Sequence, residues 1–252
     1  MNRAYWTEIK YEFIKQSRMR MYVFSAFLFP LAFYTVFGIL LGFQRQTGMQ
    51  DLPRNMMASY GSFGVIGVCL FGFGVGIAVE RGLGWLEVKR ASPMPPLAYL
   101  LAKTAAAMAF SGILLLLLFT LAFTAGGVRM PALQWAQLWI ALVAGSAPFC
   151  AMGLALGSFL GPNSAPALIN AVYLPMAFCS GLWMPLQFLP RAVQHIAPFL
   201  PAYHLGQIAN SILAGSGGAA VPQHVEALAG FGCLFAGVAW IAYSRERAKM
   251  YG

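Results

Sequence analysis

Between Met130 and Pro190 the chain has no Asp, Glu, Lys, Arg or His. The solvent that suits so long a run is the hydrocarbon of a bilayer, where about 20 apolar residues in a helix cross a core of roughly 30 Å. Across all 252 residues, 60% are hydrophobic and 9% are charged, where a soluble domain carries about a quarter charged. A soluble fold could not cover that much apolar side chain with the polar residues left over. The expected class is therefore an all-α integral membrane protein, because helices satisfy their backbone groups without water.

Charge-free runs place the spans at 21–43, 55–79 and 104–128, two more within 130–190, and a last one at 227–244. The turn sequence Gly161-Pro162-Asn163-Ser164 divides the long run. Six spans follow. The first is longer than the 7 to 15 apolar residues of a secretory signal and is read as retained.

Basic residues set the orientation. With the N-terminus inside, twelve of the 16 Lys and Arg lie on the cytoplasmic side: Arg3 to Arg20, Arg81, Lys89, Arg90, Lys103, and Arg245 to Lys249. Arg45, Arg54, Arg129 and Arg191 lie on the other. Both termini are expected in the cytoplasm of a cell bounded by this plasma (bacterial cytoplasmic or inner) membrane. The net charge of +9 is then topology, and no nucleic acid partner is implied.

Residues 1–20 place Tyr5 or Trp6, Ile9 and Phe13 near one helical face, with Glu8, Lys10, Glu12 and Lys15 largely elsewhere, as an interfacial helix would. The second span is rich in glycine (Gly61, Gly64, Gly67, Gly72, Gly74, Gly76), which suits close helix approach. Cys69, Cys150, Cys179 and Cys233 fall in separate spans without C-x-x-C spacing, so they read as small apolar fillers, with no disulfide or metal. The stretch 180–213, interrupted by Pro185, Pro190, Pro198 and Pro201, is too broken for a straight span. It is expected as short helices in or on the outer face, with 186–213 as an outer-face or re-entrant segment between the fifth and sixth spans.

The densest charge lies between the second and third spans, in ERGLGWLEVKRASPMP, residues 80–95. A short amphipathic helix stopped by Ser92-Pro93 is expected there. Glu80-Arg81, Gly84-Trp85-Leu86-Glu87 and Ser92-Pro93 resemble the E-K/R-x-x-G-T-L-E-x-L-x-x-S/T-P signature of permease subunits of type-2 ABC exporters, with Trp85 where that family usually has Thr. A second block, Gly181 to Pro185, Leu189-Pro190, Pro198 and Leu200-Pro201, resembles the family's region after the fifth span. The resemblance implies that 1–252 form one transmembrane permease domain. It implies that Glu80, Arg81, Gly84, Leu86, Glu87, Ser92 and Pro93 couple it to a cytoplasmic ABC ATPase. It implies an outer gate from Gly181, Pro185, Leu189, Pro190, Pro198 and Pro201. Glu80 and Glu87 are expected to ion-pair or hydrogen-bond at the membrane edge, with Arg81 or Arg90 as partners.

No G-x-x-x-x-G-K-S/T loop occurs, so this chain has no usual phosphate cradle and binds no cofactor of its own. By the resemblance, ATP and Mg sit on a partner ATPase, and a second permease copy or a related permease completes the path through the lipid. The expected function is export of an amphipathic, lipid-linked or drug-like substrate. Two other classes compete. An ion- or proton-coupled transporter would carry ionisable residues within its spans, and the span interiors at these boundaries show none. A membrane-embedded enzyme would need Ser180 beside a histidine, yet His195, His204 and His224 lie outside the expected spans, at spacings that match no familiar metal site.

Overall fold

The computed structural model describes residues 2–40, 51–85, 96–215 and 220–251, and the regular structure in them is helical. α1 (Asn2–Arg18) is separated from α2 (Arg20–Phe33) by the non-helical Met19. α2 runs into a π turn, Tyr34–Leu40. α3 (Leu52–Cys69) passes through a second π turn, Leu70–Val75, into α4 (Gly76–Gly82). Then come α5 (Pro96–Thr124), α6 (Ala132–Ala144), α7 (Ala147–Phe159) and α8 (Ala165–Cys179). After two 3-10 turns flanking α9 (Arg191–Ile196), α10 (Pro201–Leu213) precedes α11 (Ala220–Tyr251).

Local sequence explains the ends. Proline stands in the first turn of α3, α7, α8 and α10, where its missing N–H costs nothing. The turn at Gly161–Ser164 falls where expected, between α7 and α8.

Among the described residues, five helical stretches are long and apolar enough to cross a membrane: Tyr22–Leu40, Leu52–Gly82, Ala98–Thr124, Ala132–Phe159 and Val221–Ala242. α8 is the remaining apolar helix, and at 15 residues it rises about 22 Å, short of the hydrocarbon thickness. The six expected spans thus resolve as five plus this shorter helix. The third span begins earlier than its charges suggested, because α5 carries Lys103 inside it.

α3 is the packing centre. Every residue from Met56 to Cys69 is buried, against α5, α10, α2, α6 and α7. Phe63 stacks on Tyr173 of α8 with ring centroids 4.8 Å apart, and the Tyr173 hydroxyl donates to the Phe63 carbonyl at 2.8 Å. Large apolar residues such as Phe24, Leu116, Ile140 and Trp240 face outward, as lipid-facing helices require.

Glycine acts differently along α3 than close helix approach alone would predict. Tyr173 fills the space at Gly67 and Tyr22 that at Gly72. Backbones meet where α7 crosses: a Cβ built at Gly157 of α7 would lie 2.4 Å from the Gly74 carbonyl oxygen, and one at Gly153 would lie 3.1 Å from that of Cys69. This crossing also brings the thiols of Cys69 and Cys150, which stand in separate spans, to 3.3 Å.

Candidate functional site

α4 ends at Gly82 with Leu83 as its cap, and the next residue, Gly84, has φ +74°, the left-handed conformation that stops a helix at glycine. The amide of Leu83 donates to Val79 at 3.0 Å and that of Gly84 to Arg81 at 3.1 Å. The last turn before this stop carries Glu80 and Arg81, which point to different neighbours.

Glu80 is buried and accepts three hydrogen bonds. They come from Lys15 of α1, from Lys103 of α5 at 2.9 Å, and from the hydroxyl of Tyr99 one turn before Lys103. Lys103 also donates to Glu12 of α1 at 2.7 Å, and Lys15 reaches Glu12 at 2.9 Å. Two carboxylates and two ammonium groups from three helices therefore form one neutral cluster. The periodicity makes this possible: Glu12 and Lys15 stand three apart and Tyr99 and Lys103 four apart, so each pair shares one helix face. Lys103 is only 1% exposed, and a buried ammonium persists only where carboxylates face it.

Burial alone would raise the Glu12 carboxyl, but Lys103 and Lys15 together hold it below its ordinary 4.5. Burial would likewise lower Lys15, and Glu80 and Glu12 outweigh that to lift it above 10.5. The signs set a pH window. A depressed carboxyl contributes stability above its unfolded pKa and loses it as pH falls through the folded value, while a raised ammonium contributes below its unfolded pKa and loses it as pH rises through the folded value. α1 is thus expected to stay docked between about pH 5 and 10 and to loosen beyond either limit. Amide-exchange protection of α1, corrected for the intrinsic pH dependence of exchange, checks this, and weaker protection near neutrality than beyond either limit would contradict it.

Arg81 turns the other way. Its guanidinium donates to the carbonyl of Ser158 and, at 2.8 Å, to that of Leu160, capping the C-terminal end of α7. Beside it Gly82 makes room for Pro162 of the next turn, whose Cγ would lie 2.6 Å from a Cβ there. Glu80 and Arg81 therefore tie the end of α4 to α1 and α5 on one side and to the α7–α8 turn on the other.

Of the expected coupling residues, Glu80, Arg81 and Gly84 are placed as described, while Leu86, Glu87, Ser92, Pro93 and Arg90 lie outside the described residues. For Glu80 the expectation is corrected: its partners are Lys15, Lys103 and Tyr99 rather than Arg81 or Arg90, while the partner of Glu87 lies outside the described residues. Sequence reasoning missed Glu12, Lys15 and Lys103, because α1 was sorted by its aromatic face. Phe13 of that face does dock, stacking on Phe110 at 4.8 Å, but Trp6 is exposed and Glu12 and Gln16 are buried.

The expected gate residues lie in the broken segment after α8. Gly181 turns with φ +77°, Pro185 leads into the 3-10 turn Leu186–Phe188, and Leu189 is buried. Pro190 precedes α9, and Pro201 opens α10. Pro198 lies in the turn Ala197–Phe199, and its carbonyl accepts from His204 Nε2 at 2.9 Å. That bond leaves His204 Nδ1 to meet His224 Nδ1 at 3.0 Å. The chain thus pairs two histidines that the sequence left unconnected, and His224 falls inside the span Val221–Ala242 that was expected to start beyond it. His195 bonds the Arg191 carbonyl. Among the described residues, no three of His, Cys, Asp or Glu gather as a metal site would need.

Comparison with known proteins agrees with this architecture. Residues 3–213 match the model of the family described as ABC-2 type transporter. A Bacillus subtilis (strain 168) protein named "Putative transport permease YvfS" is similar to this chain, 25% identical over 201 residues that cover 79% of this chain and 80% of the relative.

Proposed function

This chain belongs to the ABC-2 type transporter family, and from that premise we propose that it is the membrane subunit of an ATP-driven exporter. It is an integral membrane protein and a transport subunit. A separate cytoplasmic ABC ATPase would bind ATP and Mg, and a second permease copy or a related permease would complete the path. The membrane would be the plasma (bacterial cytoplasmic or inner) membrane, with both termini in the cytoplasm. The substrate would be amphipathic, lipid-linked or drug-like.

One observation carries this reading. The span that leads into 80–95 ends in a residue pair that grips three other helices, Glu80 through α1 and α5 and Arg81 through α7. A force applied to the coupling segment by a closing ATPase would then move four helices together. Packed interfaces respond to such a push as rigid units.

The test begins with co-purification of the chain with an ATPase subunit and stimulation of its hydrolysis. Glu87→Ala is then expected to leave hydrolysis in place and cut export per ATP about tenfold, within the usual range of coupling energies. Unchanged export in that variant would reject the role of Glu87.

The ion-coupled reading gains one point from the structure: Glu80 and Lys103 lie within span helices. Their charges are mutually compensated, however, which suits a structural joint better than a relay. Transport driven by a proton gradient without any ATPase would favour that alternative.

A further inference from the structure

A cavity of about 620 Å³ lies among α1, α2, α3 and α8, a volume in the range of sites for drug-sized ligands. Its walls are aromatic and aliphatic, with Phe29, Phe33, Phe71 and Tyr173 among them, and no charged side chain lines it among the described residues. Two of its polar atoms are buried without a hydrogen-bond partner: Gln16 Oε1 and Trp183 Nε1. Gln16 is 2% exposed. Its amide nitrogen faces the Gly72 carbonyl at 3.5 Å, which orients the oxygen away from that carbonyl. Trp183 packs edge-on against Phe63, with centroids 6.0 Å apart.

Phe63 on α3 and Gly72 in the π turn that continues it thus mark the two ends, nine residues apart along one rod, or about 14 Å at the rise of a helix. A buried donor or acceptor left unpaired costs free energy that a ligand recovers by pairing with it. We propose that this cavity binds a neutral, elongated amphiphile whose hydrogen-bond donor pairs with Gln16 Oε1 and whose acceptor, at the far end of an apolar body, pairs with Trp183 Nε1. This names the substrate class for the exporter proposed above and rests on that reading for the direction of movement alone.

The position of Gln16 gives occupancy a route to the ion cluster. Gln16 lies one helical turn beyond Glu12 on α1, so both side chains share a face. The cavity also reaches Gly76, where a Cβ would lie 3.5 Å from Lys103 Nζ. A ligand drawn onto Gln16 pulls on the helix that holds Glu12 and Lys15.

The test uses the full chain in lipid nanodiscs and saturation binding of tritiated methyl 12-hydroxydodecanoate, with methyl dodecanoate as competitor and correction for partition into lipid. The hydroxy ester is expected to bind about fivefold tighter, the worth of one neutral hydrogen bond. Gln16→Leu removes that preference, whereas Trp183→Phe weakens both esters by a similar factor. An unchanged preference in Gln16→Leu, or the absence of saturable binding, overturns the proposal. So does a result in which both variants alter only the oligomeric state, since a second copy would then fill the cavity. Binding needs no ATPase, so loss of this site alongside intact ATPase stimulation would leave the exporter reading standing, and the converse result would leave the site.

Discussion

Glu80→Gln is expected to destabilise the protein by about 3 to 5 kcal/mol, the cost of leaving a buried charge without its partner. The wild-type cluster balances Glu12 and Glu80 against Lys15 and Lys103. The variant leaves Lys103, which is 1% exposed, to share the single carboxylate of Glu12 with Lys15. The same balance predicts a rescue. Glu80→Gln combined with Lys103→Met restores neutrality with Glu12 and Lys15, and most of the loss should return, because apolar replacement of a whole buried pair is often close to neutral. Lys15→Met should cost less than the loss of Glu80, since that side chain is 43% exposed and Glu12 and Glu80 both keep Lys103. Thermal unfolding of the purified variants measures all three. A double variant as unstable as the sum of its parts would show that the four charges do not act as one unit.

Gly157→Ala is the second large effect, and its mechanism is steric. The added Cβ would stand 2.4 Å from the Gly74 carbonyl oxygen, and backbone on both sides leaves no flexible side chain to give way. α7 and the π turn Leu70–Val75 must separate, at a cost of about 1 to 3 kcal/mol for overpacking, and Gly157→Val should abolish folded protein. Gly230→Ala and Gly237→Ala on α11 are the contrast. A Cβ there meets nothing within 4 Å, so these changes should be neutral or stabilise by up to about 1 kcal/mol. Size-exclusion profiles and unfolding midpoints separate the two outcomes. Equal tolerance at Gly157 and Gly237 would remove the close crossing from the account.

Much of this was legible without coordinates. The charge-free runs located the apolar helices, and the Gly161–Ser164 turn and the proline-broken stretch after α8 fell where composition put them. The glutamate at the head of the charged segment was singled out, but its partners were not. The reason is physical. Basic residues near a span end were sorted by side of the membrane, a rule that treats each charge as solvated, and Lys103 was counted that way. It lies two turns inside α5, and only the three-helix arrangement reveals which carboxylates compensate it. Glu12 was missed for a related reason, because a helix sorted by its aromatic residues hides a buried carboxylate beside them. The Cys69–Cys150 and His204–His224 meetings depend on helix crossings, which no periodicity along one chain encodes.

The wide turn at Leu70–Val75 has a rotational consequence. Each residue advances a helix by about 100°, and a π turn accommodates an additional residue without breaking the rod. It therefore resets the angular phase of everything downstream relative to everything upstream. Shortened by one residue, the same rod would aim Glu80 about 100° away from Lys15 and Lys103 and carry Gly74 off its seat on α7. The number of residues in this stretch keeps the two halves of the rod in gear.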